Sequence, residues 1–133
     1  MDNLLIIMKG KPVILAVDDM ALNLRTIKLI LGDFYDVRLA KDGGLALSLL
    51  RSTRVDLILL DIEMPGISGF DFVREMNNNS YLNKAPVIFV TAHASPELLA
   101  RAKVAGAVGY IIKPFTSEVL LQKVKAALDI KDA

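Results

Sequence analysis

Leu57-Ile58-Leu59-Leu60 run apolar without a break between Asp56 and Asp61, and Pro65-Gly66 follow soon after. A strand with one wet face alternates apolar and polar residues. An unbroken apolar run this short, closed by turn formers, predicts instead a strand covered on both faces. Asp61 then stands where that strand leaves the core. Burying a carboxylate alone is costly, so an acid at such a position is solvated, paired or holding a metal.

The same pattern recurs along the chain. Residues 13–17 (Val-Ile-Leu-Ala-Val) read as a first buried strand ended by Asp18-Asp19, and apolar residues at 20, 24, 27 and 31 then keep helical spacing up to Gly32. Residues 35–39 look like an edge strand, and Asp42 can cap a helix carrying Leu45, Leu47, Leu49 and Leu50. After the strand at 56–60, Ser68 can cap a helix through Phe70, Phe72, Val73 and Met76. Residues 86–91 are the next strand, and Ser95-Pro96-Glu97 is a cap with Pro at the first helical position. A strand at 108–112 and a helix begun by Thr116 or Ser117 complete the chain, with Lys123 and Lys125 on that helix's wet side. Strand and helix alternate five times through short loops, which predicts an α/β domain with a doubly wound parallel sheet.

The bulk properties agree and exclude several functions. The 133 residues suit one domain, and 53% hydrophobic composition is what a sheet buried on both faces demands. A net charge of +1 with no run of like charges disfavours direct nucleic-acid binding. With no cysteine there is no disulfide, thiolate metal site or Cys nucleophile, as fits a reducing compartment. The apolar run at residues 4–8 is too short to span a bilayer and lacks a basic start and cleavage site. The expected organisation is an N-terminal tail at 1–10, one domain at 11–130 and a C-terminal tail at 131–133, in a cytoplasmic protein with no membrane insertion.

In a doubly wound sheet the C-terminal ends of the strands share one rim, where ligands bind. Asp18, Asp19, Asp61, Thr91 and Lys113 all fall at strand ends. Three carboxylates crowded there raise one another's pKa unless a cation sits among them, and hard oxygen donors suit Mg²⁺. Each residue also has a plainer reading. Asp18-Asp19 would serve as a helix cap and first-turn acid, Thr91 as an ordinary strand residue and Lys113 as a solvated lysine.

Four motifs at these strand ends outweigh those readings. Val17-Asp18-Asp19, Asp61-Ile62-Glu63-Met64-Pro65-Gly66, Val90-Thr91-Ala92 and Tyr110-Ile111-Ile112-Lys113-Pro114-Phe115, in this order, resemble the receiver domain of two-component response regulators. The resemblance spans roughly residues 12–128 and implies a flavodoxin-like (βα)5 sheet of strand order 2-1-3-4-5. It implies a regulatory module rather than an enzyme acting on an external substrate. Asp61 would be the phosphoacceptor for a sensor histidine kinase or a histidine phosphotransfer protein. Asp18, Asp19, Asp61 and the main-chain carbonyl of Glu63 would hold Mg²⁺. Lys113, behind a cis peptide to Pro114, and Thr91 would contact the phosphoryl group, and Tyr110 would follow Thr91 as a switch.

The resemblance further implies a downstream protein partner on the face made by the fourth helix, the fifth strand and the last helix, in a monomer or weak dimer. Glu63 and His93 occupy positions where the family varies, and both are expected to be solvated loop residues. Ala107-Val108-Gly109 replace the acids that many DNA-binding members use in dimerisation. Two other readings remain open from sequence: a Mg²⁺-dependent phosphohydrolase with an aspartyl nucleophile, and a binding module of this fold that works without phosphorylation.

Overall fold

The computed structural model describes residues 10–132, so the expected N-terminal tail lies outside the described residues except for Gly10. The strands are β1 (Val13–Val17), β2 (Asp36–Ala40), β3 (Leu57–Asp61), β4 (Val87–Thr91) and β5 (Gly109–Ile112). They alternate with helices α1 (Ala21–Leu31), α2 (Gly43–Ser52), α3 (Gly69–Asn78), α4 (Pro96–Val104) and α5 (Ser117–Asp132). All pairings are parallel and the order is β2-β1-β3-β4-β5. This is the flavodoxin-like doubly wound sheet, and β2 lies at its edge as its alternating sequence predicts. The last helix continues through Asp132, into the stretch expected as a C-terminal tail.

The unbroken apolar runs are explained by two cores, one on each face. Along β3, Ile58 and Leu60 join Leu50 of α2 and Phe72 of α3, while Leu57 and Leu59 join Leu24 and Ile27 of α1 and Val124 of α5. Strand side chains alternate in direction, so a strand that feeds both cores must be apolar at every position. Each fully buried Leu or Ile here contributes roughly 1.5–3 kcal/mol. Helices α2, α3 and α4 cover one face and α1 and α5 the other.

Helix phase decides which apolar residues of α1 and α2 face the core. Met20 is 56% exposed, because it is the N-cap of α1 and precedes the helical register that turns Leu24, Ile27 and Leu31 inward. Leu45 is exposed as well. Asp42 caps α2 by accepting from the Leu45 N–H at 2.8 Å, which sets a phase that places Gly43, Ala46 and Leu50 inside. Ser68 and Ser95 cap α3 and α4 through the Asp71 and Leu98 N–H groups. Thr116 accepts from the Val119 N–H, so of the two candidates it caps α5 and Ser117 begins it. Among the described residues, no helix is long and apolar enough to cross a membrane.

Candidate functional site

The strand order reverses between β1 and β3, and the polar strand ends gather on that rim. Val17 pairs with Leu60 in the β1–β3 ladder, so Asp18 and Asp61 emerge side by side. Both are buried, at 2% and 6% exposure, whereas Asp19 faces solvent. One carboxylate oxygen from each of Asp18, Asp19 and Asp61 lies within 4.8 Å of the others.

The plainer reading of the acidic pair as a helix cap fails. Asp18 Oδ1 accepts from the N–H of Met20, itself the N-cap, at 2.9 Å, and α1 has no side-chain cap. Asp18 Oδ2 accepts from Asn23 Nδ2 at 3.1 Å and from Lys113 Nζ at 2.8 Å. Asn23 was not singled out in the sequence, although it lies one turn into the helix that follows Asp18 and so has the reach to return to it.

Lys113 is neither solvated nor distant. It sits at the end of β5, its backbone N–H donates to the Thr91 carbonyl at 2.8 Å, and its peptide to Pro114 is cis. Its ammonium lies 3.5 Å from Asp61 Oδ2, so it bridges Asp18 and Asp61. The other Asp61 oxygen, Oδ1, accepts from the Glu63 N–H at 3.2 Å. The Asp61 carboxyl is held above the ordinary carboxylate range, chiefly because burial disfavours the ionised form. Asp18 pushes in the same direction, while Lys113 and the Glu63 N–H oppose it.

Thr91 is 1% exposed and its hydroxyl is turned toward the following loop, donating to the His93 carbonyl at 3.0 Å and accepting from the His93 N–H at 3.1 Å. Tyr110 is not brought to the cluster. It is 39% exposed on the outer surface, with Lys123 Nζ 5.6 Å from its ring centre. Glu63 and His93 are exposed loop residues as expected, and their side chains approach to 3.8 Å. That proximity needs the loops after β3 and β4 to be neighbours, which no local sequence pattern reveals.

A positioning residue also escaped the sequence. The loop after β3 turns at Gly66, whose φ of +82° favours glycine, and returns to the rim at Gly69. There the Gly69 N–H donates to the Ile62 carbonyl at 2.8 Å. A Cβ on Gly69 would lie 2.7 Å from the Asp61 carbonyl oxygen and 2.9 Å from Ile62 Cα, both backbone atoms. Gly69→Ala is therefore expected to destabilise the fold by about 1–3 kcal/mol through overpacking. It should also broaden or shift the NMR signals of Asp61 and Ile62; an unchanged melting temperature with unchanged spectra would refute the contact.

The donor set suits a small hard cation: three carboxylates in reach of one another, with no nitrogen or sulfur ligand among the residues that form the cluster. Chemically, the arrangement offers a nucleophilic carboxylate at Asp61, fixed by a backbone N–H and faced by one ammonium.

Comparison with known proteins places this site in a family. The model of the response regulator receiver domain matches residues 14–125. The chemotaxis protein CheY of Pseudomonas aeruginosa is 40% identical over 114 residues, 84% of this chain and 92% of that protein. A probable cyclic di-GMP phosphodiesterase of Vibrio cholerae is 35% identical over 118 residues; the match takes in 89% of this chain but only 27% of that relative's length. The structure of Vibrio cholerae CheY4 superposes with a TM-score of 0.83 at 34% identity, covering 90% of this chain and 100% of that one. With its sheet order, its rim of acids and a family match over most of its length, the chain belongs to the receiver domains of two-component response regulators.

Proposed function

We propose that this receiver domain is a phosphorylation-driven switch. It takes a phosphoryl group from a histidine kinase or histidine phosphotransfer protein onto Asp61, in a Mg²⁺-dependent reaction, and changes its affinity for a downstream protein. The observation that carries this reading is the buried Asp61 carboxylate, 3.5 Å from Lys113 and grouped with Asp18 and Asp19 on one rim.

In the proposed reaction an Asp61 oxygen attacks the phosphorus of a phosphohistidine. The P–N bond breaks, its electron pair returns to the imidazole nitrogen, and an acyl phosphate forms. Asp18, Asp19, Asp61 and the Glu63 carbonyl would hold Mg²⁺, which when bound supplies positive charge to the carboxylate and phosphoryl oxygens. Lys113 would transfer its ion pair from the Asp61 carboxylate to the new phosphoryl oxygens. The Glu63 N–H keeps the attacking carboxylate oriented, so the reacting group is placed before its partner arrives.

Thr91 supplies the link to the surface. Among the described residues its hydroxyl is held by the His93 backbone, and a phosphoryl oxygen on the neighbouring strand end would compete for that O–H. Drawing Thr91 inward frees the loop after β4 and opens space for Tyr110 to follow, a population shift driven by added charge. The face formed by α4, β5 and α5 is suited to reading that shift, because Tyr110, Ile112 and Val119 are exposed apolar residues there, at 39%, 46% and 40%.

The test is intact mass after incubation with phosphoramidate or acetyl phosphate, in Mg²⁺ and in EDTA. A single phosphoryl adduct in Mg²⁺ and none in EDTA is expected. Failure to form an adduct by a folded protein that binds Mg²⁺ would favour a phosphorylation-independent binding module, and continuing release of phosphate from an external ester would favour a phosphohydrolase.

A further inference from the structure

The buried carboxylate of Asp18 is held at both of its oxygens. Oδ1 accepts from the Met20 N–H at 2.9 Å, while Oδ2 accepts from Asn23 Nδ2 at 3.1 Å and from Lys113 Nζ at 2.8 Å. These three donors differ in kind. The Met20 N–H belongs to the backbone, and the Lys113 ammonium is shared with Asp61 and carries a charge that repels any incoming cation. The amide of Asn23 is neutral, and among the described residues it is given to Asp18 alone.

Helix formation does not call for an asparagine at this place. Asn23 lies in the first turn of α1, where its backbone N–H already donates to the Met20 carbonyl at 3.1 Å. Inside a helix asparagine is a poorer helix former than leucine or alanine, because its side chain competes for backbone partners. Here the side chain leaves the backbone alone and reaches back to the strand end. An ionised carboxylate only accepts hydrogen bonds, so the NH2 end of the amide must face Asp18. Asn23 is itself half-buried, and the oxygen it holds is buried, so water competes poorly for that contact.

We infer that Asn23 is a positioning residue that fixes the Asp18 carboxylate for Mg²⁺, a role that rests on the metal site proposed above. With Met20 on one oxygen and Asn23 on the other, the carboxylate plane is set before the cation arrives. The same pair matters after phosphoryl transfer. Once Lys113 turns to the phosphoryl oxygens, Asn23 is the side chain left holding Asp18 Oδ2, and it does so without competing with the metal for charge. Partners that orient a metal ligand in this way typically carry about 10–100-fold in metal affinity. Because the Met20 N–H still holds Oδ1, the effect of Asn23 falls at the low end, about tenfold.

Asn23→Leu keeps the shape of the side chain, removes the donor and favours the helix, so α1 stays formed. Mg²⁺ titrations followed by the NMR amide signals of Asp18 and Asp61, with no phosphodonor present, should give a dissociation constant about tenfold higher in the variant than in the wild type. Asn23→Ala, which places no bulk against Asp18, should show the same shift. Thermal melts separate this role from simple packing of α1: the gap between wild type and variant should be wider in Mg²⁺ than in EDTA. Equal Mg²⁺ dissociation constants, weakening by Leu but not by Ala, or a melting gap that is the same in EDTA and Mg²⁺ would each overturn the assignment. A wild type that binds no Mg²⁺ would overturn it together with the metal site. If the tenfold difference is found but phosphoramidate gives no adduct on the Mg²⁺-loaded wild type, the role of Asn23 holds and the phosphorylation reading falls.

Discussion

Asp61→Asn is expected to abolish the phosphoryl adduct completely and at the same time to raise the melting temperature in EDTA. The first effect follows from chemistry: an amide oxygen does not form an acyl phosphate under these conditions, and the neighbouring carboxylates of Asp18 and Asp19 belong to another strand end. The second follows from linkage. The Asp61 carboxyl is held above its unfolded value, first by burial and then by Asp18. The folded state thus keeps its proton to higher pH than the unfolded chain, and stability falls as pH rises from about 4, the unfolded value, through the folded one.

At neutral pH the ionised Asp61 subtracts from stability, and Asn removes that subtraction. A gain of about 1 kcal/mol would raise the melting temperature by a few degrees in a domain of this size. The wild type should recover the difference when Mg²⁺ is added, whereas the variant, with one ligand lost, should respond less. Thermal melts of both proteins in EDTA and Mg²⁺, at pH 5 and 7.5, check this. Wild type and variant melting together under all four conditions would refute the electrostatic account, and a normal adduct on Asp61→Asn would refute the site.

The sheet was legible because its physics is local. Runs such as Leu57–Leu60 can exist only where both strand faces are buried, and caps at Asp42, Ser68 and Ser95 announce their helices within a few residues. The rim acids were legible because strand ends in a parallel sheet converge whatever the details of packing. The helical spacing alone did not say which apolar residues turn outward, as Met20 and Leu45 do. Sequence was silent where contact depends on how a turn or loop folds back on itself or on its neighbour: Asn23 returning to Asp18, Gly69 leaving space for the Asp61 carbonyl, and Glu63 meeting His93 across two loops. Tyr110 illustrates the remaining limit, since the motif around it gives its position on β5 but not which way its ring is turned.

Lys113→Ala is expected to act in the opposite direction from Asp61→Asn in EDTA. Lys113 is the cation that Asp18 and Asp61 share, at 2.8 and 3.5 Å, with its own side chain only 16% exposed. Without it, Asp18 retains two neutral donors, the Met20 N–H and Asn23 Nδ2, and two buried carboxylates face each other with no opposite charge between them. Removing one partner of a buried ion pair costs about 3–5 kcal/mol, and the adjacent solvent at Asp19 places this case at the low end, about 3 kcal/mol. Divalent cation should reverse the order of events. With the competing ammonium gone, Mg²⁺ meets an uncompensated cluster, so its stabilising effect on Lys113→Ala should exceed that on the wild type. Melts titrated with Mg²⁺ decide the matter: a variant as stable as wild type in EDTA, or one that gains no more from Mg²⁺ than wild type does, would show that Lys113 is not the charge that holds these carboxylates together.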